Sequence, residues 1–221
     1  MQSSRETKID MAEPMSANWN RGLLTRSKRM IDILGSSILL VLFSPVFLLL
    51  SAAVKLSSRG PVFYRWQVVG LGGRRFTGYK FRSMVENADD LKSQLESQNE
   101  MRGPVFKLTR DPRVTRLGAW MRRYSLDELP QLYSVLKGDM SLVGPRPPLV
   151  DEFIRFNDYQ KLKLTVKPGI TCLWQVNGRN HVSDFDEWVK MDLEYIRSWN
   201  PWLDVRILAL TLRAVVTGTG K

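Results

Sequence analysis

Residues Ile31–Leu56 read IDILGSSILLVLFSPVFLLLSAAVKL. The run is long enough for one membrane-spanning helix, which needs about 20 apolar residues. Ser44-Pro45 falls near its middle, and a proline there removes a backbone donor and clashes with the preceding turn. Each half is then about 14 residues, or about 21 Å at 1.5 Å per residue, too short to cross alone. Arg21, Arg26, Lys28 and Arg29 precede the run, and Lys55, Arg59 and Arg65 follow it. Basic residues favour the cytoplasmic side, so charge at both ends suits a hairpin that enters and leaves on one face. A re-entrant hairpin and a kinked spanning helix both remain open on these grounds. Either is a membrane segment, because helices of soluble cores are seldom so long and so uniformly apolar. Ser44 stands where it can serve the backbone groups freed by Pro45.

The chain has 221 residues, a formal net charge of +11, one Cys and one His. The charge points to an anionic partner: nucleic acid, anionic lipid or a phosphate-rich substrate. Cys172 and His181 alone exclude a disulfide framework and a zinc site of the usual kind. A hard cation held by carboxylates and phosphates, such as Mg²⁺, is the metal the composition allows. No short apolar run with a cleavage site comes early, so residues 1–27 read as a flexible N-terminal segment. Residues 28–57 then form the hairpin, and 58–221 a membrane-apposed catalytic domain.

Downstream, Pro61–Val69 and Phe76–Phe81 are predicted strands joined by the Gly70–Arg75 turn. That turn lacks the GK[ST] ending of a phosphate loop. Glu86–Met101 is a predicted exposed helix, 103–115 a basic loop, and Leu117–Arg123 a short amphipathic helix. Ser125-Leu126-Asp127-Glu128 fits the capping pattern S-x-x-E and predicts a helix from Ser125 to Lys137. Pro168-Gly169 predicts a turn. Phe185–Trp199 and Trp202–Val216 are predicted helices, the second suited to a headgroup boundary through Trp199 and Trp202 or to ordinary core packing. The fold class is α+β: a helix-break-helix membrane element, then a mainly helical domain with a small β-hairpin and interfacial amphipathic helices.

Asp127 and Glu128 can be explained by capping and by the helix dipole alone. They can also be explained by chemistry. A helix start attracts phosphate, and Arg122 and Arg146 add charge-assisted contacts. An Asp carboxylate can attack phosphorus, and a neighbouring Glu can hold Mg²⁺ against a pyrophosphate. Pro145 and Pro147 restrict the backbone around Arg146.

Several further stretches resemble, in order, the motifs of the bacterial sugar transferases: Lys28-Arg29 with Asp32, Ser44-Pro45, Lys80–Met84, Asp111–Arg113, Ser125–Gln131, Gly138–Ser141, Gly144–Pro147, Lys167–Gly169, Trp174-Gln175 and Gly178-Arg179. These monotopic phosphoglycosyl transferases move a sugar-1-phosphate from a nucleotide sugar onto polyprenyl (undecaprenyl) phosphate. The resemblance runs from Lys28 to the C-terminus. It implies Asp127 as nucleophile and Glu128 as its partner in Mg²⁺ binding. It puts Lys80, Arg82, Arg122, Arg146 and Arg179 in the substrate site, Ser44-Pro45 at the hairpin break and Lys28-Arg29 at the membrane interface. It further implies UMP release, membrane lipids as partners and an active site on the cytoplasmic face of the bacterial inner membrane. Extra N-terminal membrane helices, as in larger members, are not expected. Val68 fills a slot where the family often has Arg. The competing readings are a membrane-tethered nucleic-acid-binding protein and a structural adaptor. Dispersed basic residues without a helix-turn-helix, RNP or zinc-finger pattern argue against nucleic acid. The transferred sugar, the glycan pathway and homo-oligomer formation are open.

Overall fold

The computed structural model describes residues 22–176 and 182–218. Helices α1 (Gly22–Leu42) and α2 (Ser44–Ser57) meet at Phe43 with a bend of 61°. No single helix among the described residues is long and apolar enough to cross a membrane, and only the bent pair passes on length and composition. Pro45 leaves the Val41 carbonyl without its helical donor, and Ser44 Oγ donates to that oxygen at 2.8 Å. Ile38, Val41 and Leu42 on α1 and Leu48, Leu49 and Leu56 on α2 are all more exposed than buried. The opposite edge, including Leu39, Leu50 and Val54, packs inward.

The start of α1 lies within the stretch expected to be flexible; 1–21 are outside the described residues. The side chains of Lys28 and Arg29 both turn to protein partners. Lys28 is buried and its Nζ donates to Val143 O and to Asp204, at 3.0 and 2.6 Å. Arg29 donates to the carbonyls of Val135 and Leu136. These charges are satisfied by protein groups, a pairing invisible in a linear count of basic flanks.

Strands β1 (Phe63–Val69) and β2 (Arg75–Phe81) form an antiparallel hairpin with Trp66 opposite Gly78. Gly72 and Gly73 turn it with φ of 62° and 79°, the left-handed region that glycine enters freely. Helix α3 (Ala88–Leu95) passes into a 3₁₀ turn and ends before Met101, short of the expected range. Met101 is drawn into the core, and Asn99 closes the following loop by accepting from Met101 N and Lys107 N.

Thr115 caps α4 (Arg116–Arg123) through Gly118 N. The helix expected from Ser125 does not form there. Ser125 is left-handed at φ 53° and makes no side-chain cap, residues Leu126–Glu128 form a 3₁₀ turn, and α5 begins only at Gln131 and ends at Lys137. Pro130 has no N–H for the Leu126 carbonyl, which takes Leu129 N instead at 3.3 Å.

Strand β3 (Ser141–Val143) is followed by the short helices α6 (Val150–Phe153) and α7 (Asp158–Lys161), then by β4 (Gly169–Thr171). β3 and β4 pair in parallel, a second sheet that the sequence reading did not contain. Gly169 opens β4 rather than turning the chain. A Cβ there would lie 2.1 Å from Gly144 N, so close backbone approach requires the glycine.

Helices α8 (Leu173–Val176), α9 (Phe185–Ser198) and α10 (Pro201–Thr217) complete the fold. Trp199 belongs to the core, its Nε1 donating to Asp204, whereas Trp202 is 78% exposed. The α10 alternatives are thus divided between its residues: Ile207 packs inside, and Val205, Leu212 and Val216 face outward.

Candidate active site

The 3₁₀ turn at Leu126–Glu128 puts two adjacent carboxylates inside the protein, with Asp127 and Glu128 both buried. Residues from three other segments gather around them. Lys80, near the end of β2, donates from Nζ to Glu128 Oε1 at 2.8 Å. Its ammonium also lies 4.3 Å from the centre of the Trp66 ring. Arg146, just beyond β3, has Nη1 at 3.7 Å from the same Glu128 oxygen. Arg122, in the last turn of α4, donates from Nε to Ser83 Oγ at 2.9 Å.

Lys80, Arg122, Asp127, Glu128 and Arg146 line one cavity of about 910 Å³. Burial drives the Lys80 ammonium below the usual lysine range, with Glu128 and Asp127 pulling the other way and Arg146 adding to the depression. Burial also lowers Arg122, opposed first by Asp127. Three cations thus share a low-dielectric space with two carboxylates, and an incoming anion would relieve their mutual repulsion.

Arg82 also borders the cavity, but its guanidinium turns to the end of α2. Nη2 donates to Ser58 O at 2.8 Å and to Val54 O at 3.3 Å, and Nη1 donates to Arg59 O. It closes the carbonyl end of that helix, and its bonds do not reach the carboxylates. Arg179 lies outside the described residues.

Among the described residues no group of three or more His, Cys, Asp and Glu side chains forms a metal cage. Two adjacent buried carboxylates fit Mg²⁺ of a particular kind, an ion that takes the rest of its shell from phosphate and water.

Sequence reasoning did not identify several residues of this cavity. Trp66 lies beneath Lys80, and Gly78 opposite it provides the space, since a Cβ there would fall 2.3 Å from Trp66 Nε1. Ser83 stands in the Lys80–Met84 motif, but nothing local shows that it holds Arg122. Lys163, also in the lining, pairs at 2.6 Å with Asp192 from a distant segment, and no linear signal marks the pair.

A buried carboxylate pair ringed by fixed cations is suited to phosphate chemistry. The profile of the family described as "Bacterial sugar transferase" matches residues 23–218, and the chain belongs to that family. It is 49% identical over 194 residues to the galactosyl transferase CpsE of Streptococcus agalactiae, covering 88% of this chain and 43% of that protein. It is 44% identical to the undecaprenyl-phosphate galactose phosphotransferase of Salmonella typhimurium, covering 87% of this chain and 41% of the relative. The exopolysaccharide production protein ExoY of Rhizobium meliloti is 41% identical, with 88% of both chains covered. The chain therefore spans less than half of the first two relatives and most of the third.

Proposed function

We propose that this protein transfers a sugar-1-phosphate from a UDP-sugar to undecaprenyl phosphate at a membrane surface, an early step in making exopolysaccharide, capsule or a related glycan. The observation that carries the reading is the Asp127–Glu128 pair, buried in one cavity with Lys80, Arg122 and Arg146. The names of the Salmonella, Streptococcus and Rhizobium relatives point the same way.

In this reading an Asp127 carboxylate oxygen attacks the sugar-bearing phosphorus. The bond from that phosphorus to the bridging oxygen breaks, and UMP leaves with the electron pair. The phosphate oxygen of the lipid then attacks the same phosphorus, releasing Asp127 as a carboxylate and giving a sugar diphospholipid. Lys80, Arg122 and Arg146 bind and orient the two phosphates and neutralise their charge. Asp127 and Glu128 would hold Mg²⁺, which when bound supplies further charge neutralisation on the pyrophosphate.

The exposed apolar edges of α1 and α2, with Trp202, Leu212 and Val216 on α10, support seating in one leaflet. Residues 28–57 are the re-entrant element of this reading and 58–221 the catalytic domain on the cytoplasmic face, where UDP-sugars are available.

The test is Asp127→Asn, assayed with radiolabelled UDP-sugar. Loss of the covalent phosphosugar adduct and a fall in turnover of at least roughly a thousandfold are expected, with fold and membrane association retained. Undiminished turnover would return both carboxylates to a structural role.

A further inference from the structure

The same cavity is also lined by Glu152, Lys163, Trp174 and Trp188, which the transfer chemistry does not use. Arg146 belongs to the lining as well. It lies 3.7 Å from Glu128 and lines the same cavity as Glu152 and Lys163. Trp174 and Trp188 stack with centroids 4.0 Å apart and planes 10° from parallel. They are 3% and 5% exposed, and neither indole N–H has a hydrogen-bond partner among the described residues. Beside them, Lys163 Nζ lies 2.6 Å from Asp192 Oδ2, with both side chains almost fully enclosed.

Buried donors are nearly always paired in native proteins. Trp174 and Trp188 both border the cavity, and a ligand that brought acceptors to their indole donors would satisfy them. The surroundings describe that ligand. Aromatic surface suits C–H faces, while indole N–H groups, an ammonium and the Glu152 carboxylate suit hydroxyls, which both donate and accept. A polyprenyl chain would leave these polar groups unmatched. A pyranose ring offers apolar faces and a polar edge together.

We propose that Trp174, Trp188, Lys163 and Glu152 form the subsite for the sugar of the donor and decide which hexose is accepted. This rests on the transferase reading above, and Arg146 is the element that would span phosphate and sugar. Sites built to hydrogen-bond a particular hydroxyl discriminate strongly against analogues that misplace it.

The experiment measures kcat/KM of the full chain for UDP-glucose, UDP-galactose and their N-acetylated forms, with UMP inhibition alongside. Trp188→Phe keeps an aromatic ring, though a smaller one, and removes the N–H, and Glu152→Gln removes the charge while keeping an acceptor for Leu149 N, which now bonds Glu152 Oε2. Each is expected to change the preference between C4-epimeric donors by about tenfold or more, while UMP inhibition stays within about twofold. Trp174→Phe replaces Trp188→Phe if thermal unfolding shows the latter misfolded. An equal fall for every sugar, or weakened UMP binding in step with it, would overturn the subsite and leave these residues structural. If the unaltered chain transfers no sugar, the transferase reading and the subsite fall together. Transfer with unchanged preference in the variants overturns the subsite alone.

Discussion

Asp32 on the first helix accepts from the backbone N–H of Leu142 at 2.9 Å, across 110 residues of sequence. The same oxygen accepts from Ser141 Oγ at 2.9 Å, and Asp32 is 3% exposed. Through it the apolar hairpin is fastened to β3, and β3 leads directly into Gly144–Pro147 and Arg146.

Asp32→Ala should therefore destabilise the fold by about 2–4 kcal/mol, since two buried donors lose their acceptor. Asp32→Asn, which keeps one acceptor oxygen, should cost about half as much. Chemical unfolding in detergent measures both. A change below about 0.5 kcal/mol in the Ala variant would mean that the hairpin and β3 are held by packing alone.

Metal dependence follows from the proposed site. EDTA should abolish transfer, and Mg²⁺ should restore it. Glu128→Gln should raise the Mg²⁺ concentration for half-maximal activity by at least roughly tenfold. Full activity in thoroughly chelated protein would remove the metal role of Glu128, leaving its pairing with Lys80.

The basic loop between α3 and α4 carries a pH-dependent element. Arg113 meets Asp111 with Nη2 to Oδ2 at 2.6 Å and Nε to Oδ1 at 2.9 Å. Burial pushes the Asp111 carboxyl up, but the hydrogen bonds and charge of Arg113 outweigh it and hold the carboxyl below its usual range. A depressed folded-state value means that the stabilisation is present above the unfolded value of about 4 and is lost as pH falls through the folded one. Arg113→Met should thus lower stability by about 1–3 kcal/mol at pH 7, with the gap narrowing below about pH 4. A gap constant from pH 7 to pH 3 would assign the loss to packing.

Topology can be tested at the bend. Replacing Ser44-Pro45 by Ala-Leu restores the helical donor at residue 45 and leaves a run of about 25 residues able to span a bilayer. The N-terminus should then tend towards the far side, opposed by Arg21, Arg26, Lys28 and Arg29. A Ser16→Cys label in a Cys172→Ser background reports this with an impermeant reagent in intact cells. Outside labelling with Ser44-Pro45 unaltered would show that the segment spans, and the re-entrant arrangement would be wrong.

Local features were legible in the sequence because their causes are local. Pro45 breaks the apolar run wherever that run lies, and Ser44, the neighbouring residue, reaches the carbonyl it frees. Alternation and paired glycines define the β1–β2 hairpin without reference to the rest of the chain. The types of residue in the carboxylate site could also be read: Asp127, Glu128, Lys80, Arg122 and Arg146. Tertiary structure alone decided how they are used. Lys80 and Arg82 are two residues apart, yet one meets Glu128 across 48 residues and the other turns to α2, because β2 ends at Phe81 between them. Ser125 matched a capping pattern but is left-handed, and Pro130 starves the expected helix of a donor. Lys28 looked like a membrane-flanking charge and pairs with Asp204, 176 residues away. Linear patterns carry the propensity and charge of each residue. They do not carry the partner that burial selects, and in a low-dielectric interior that partner settles what a charge does.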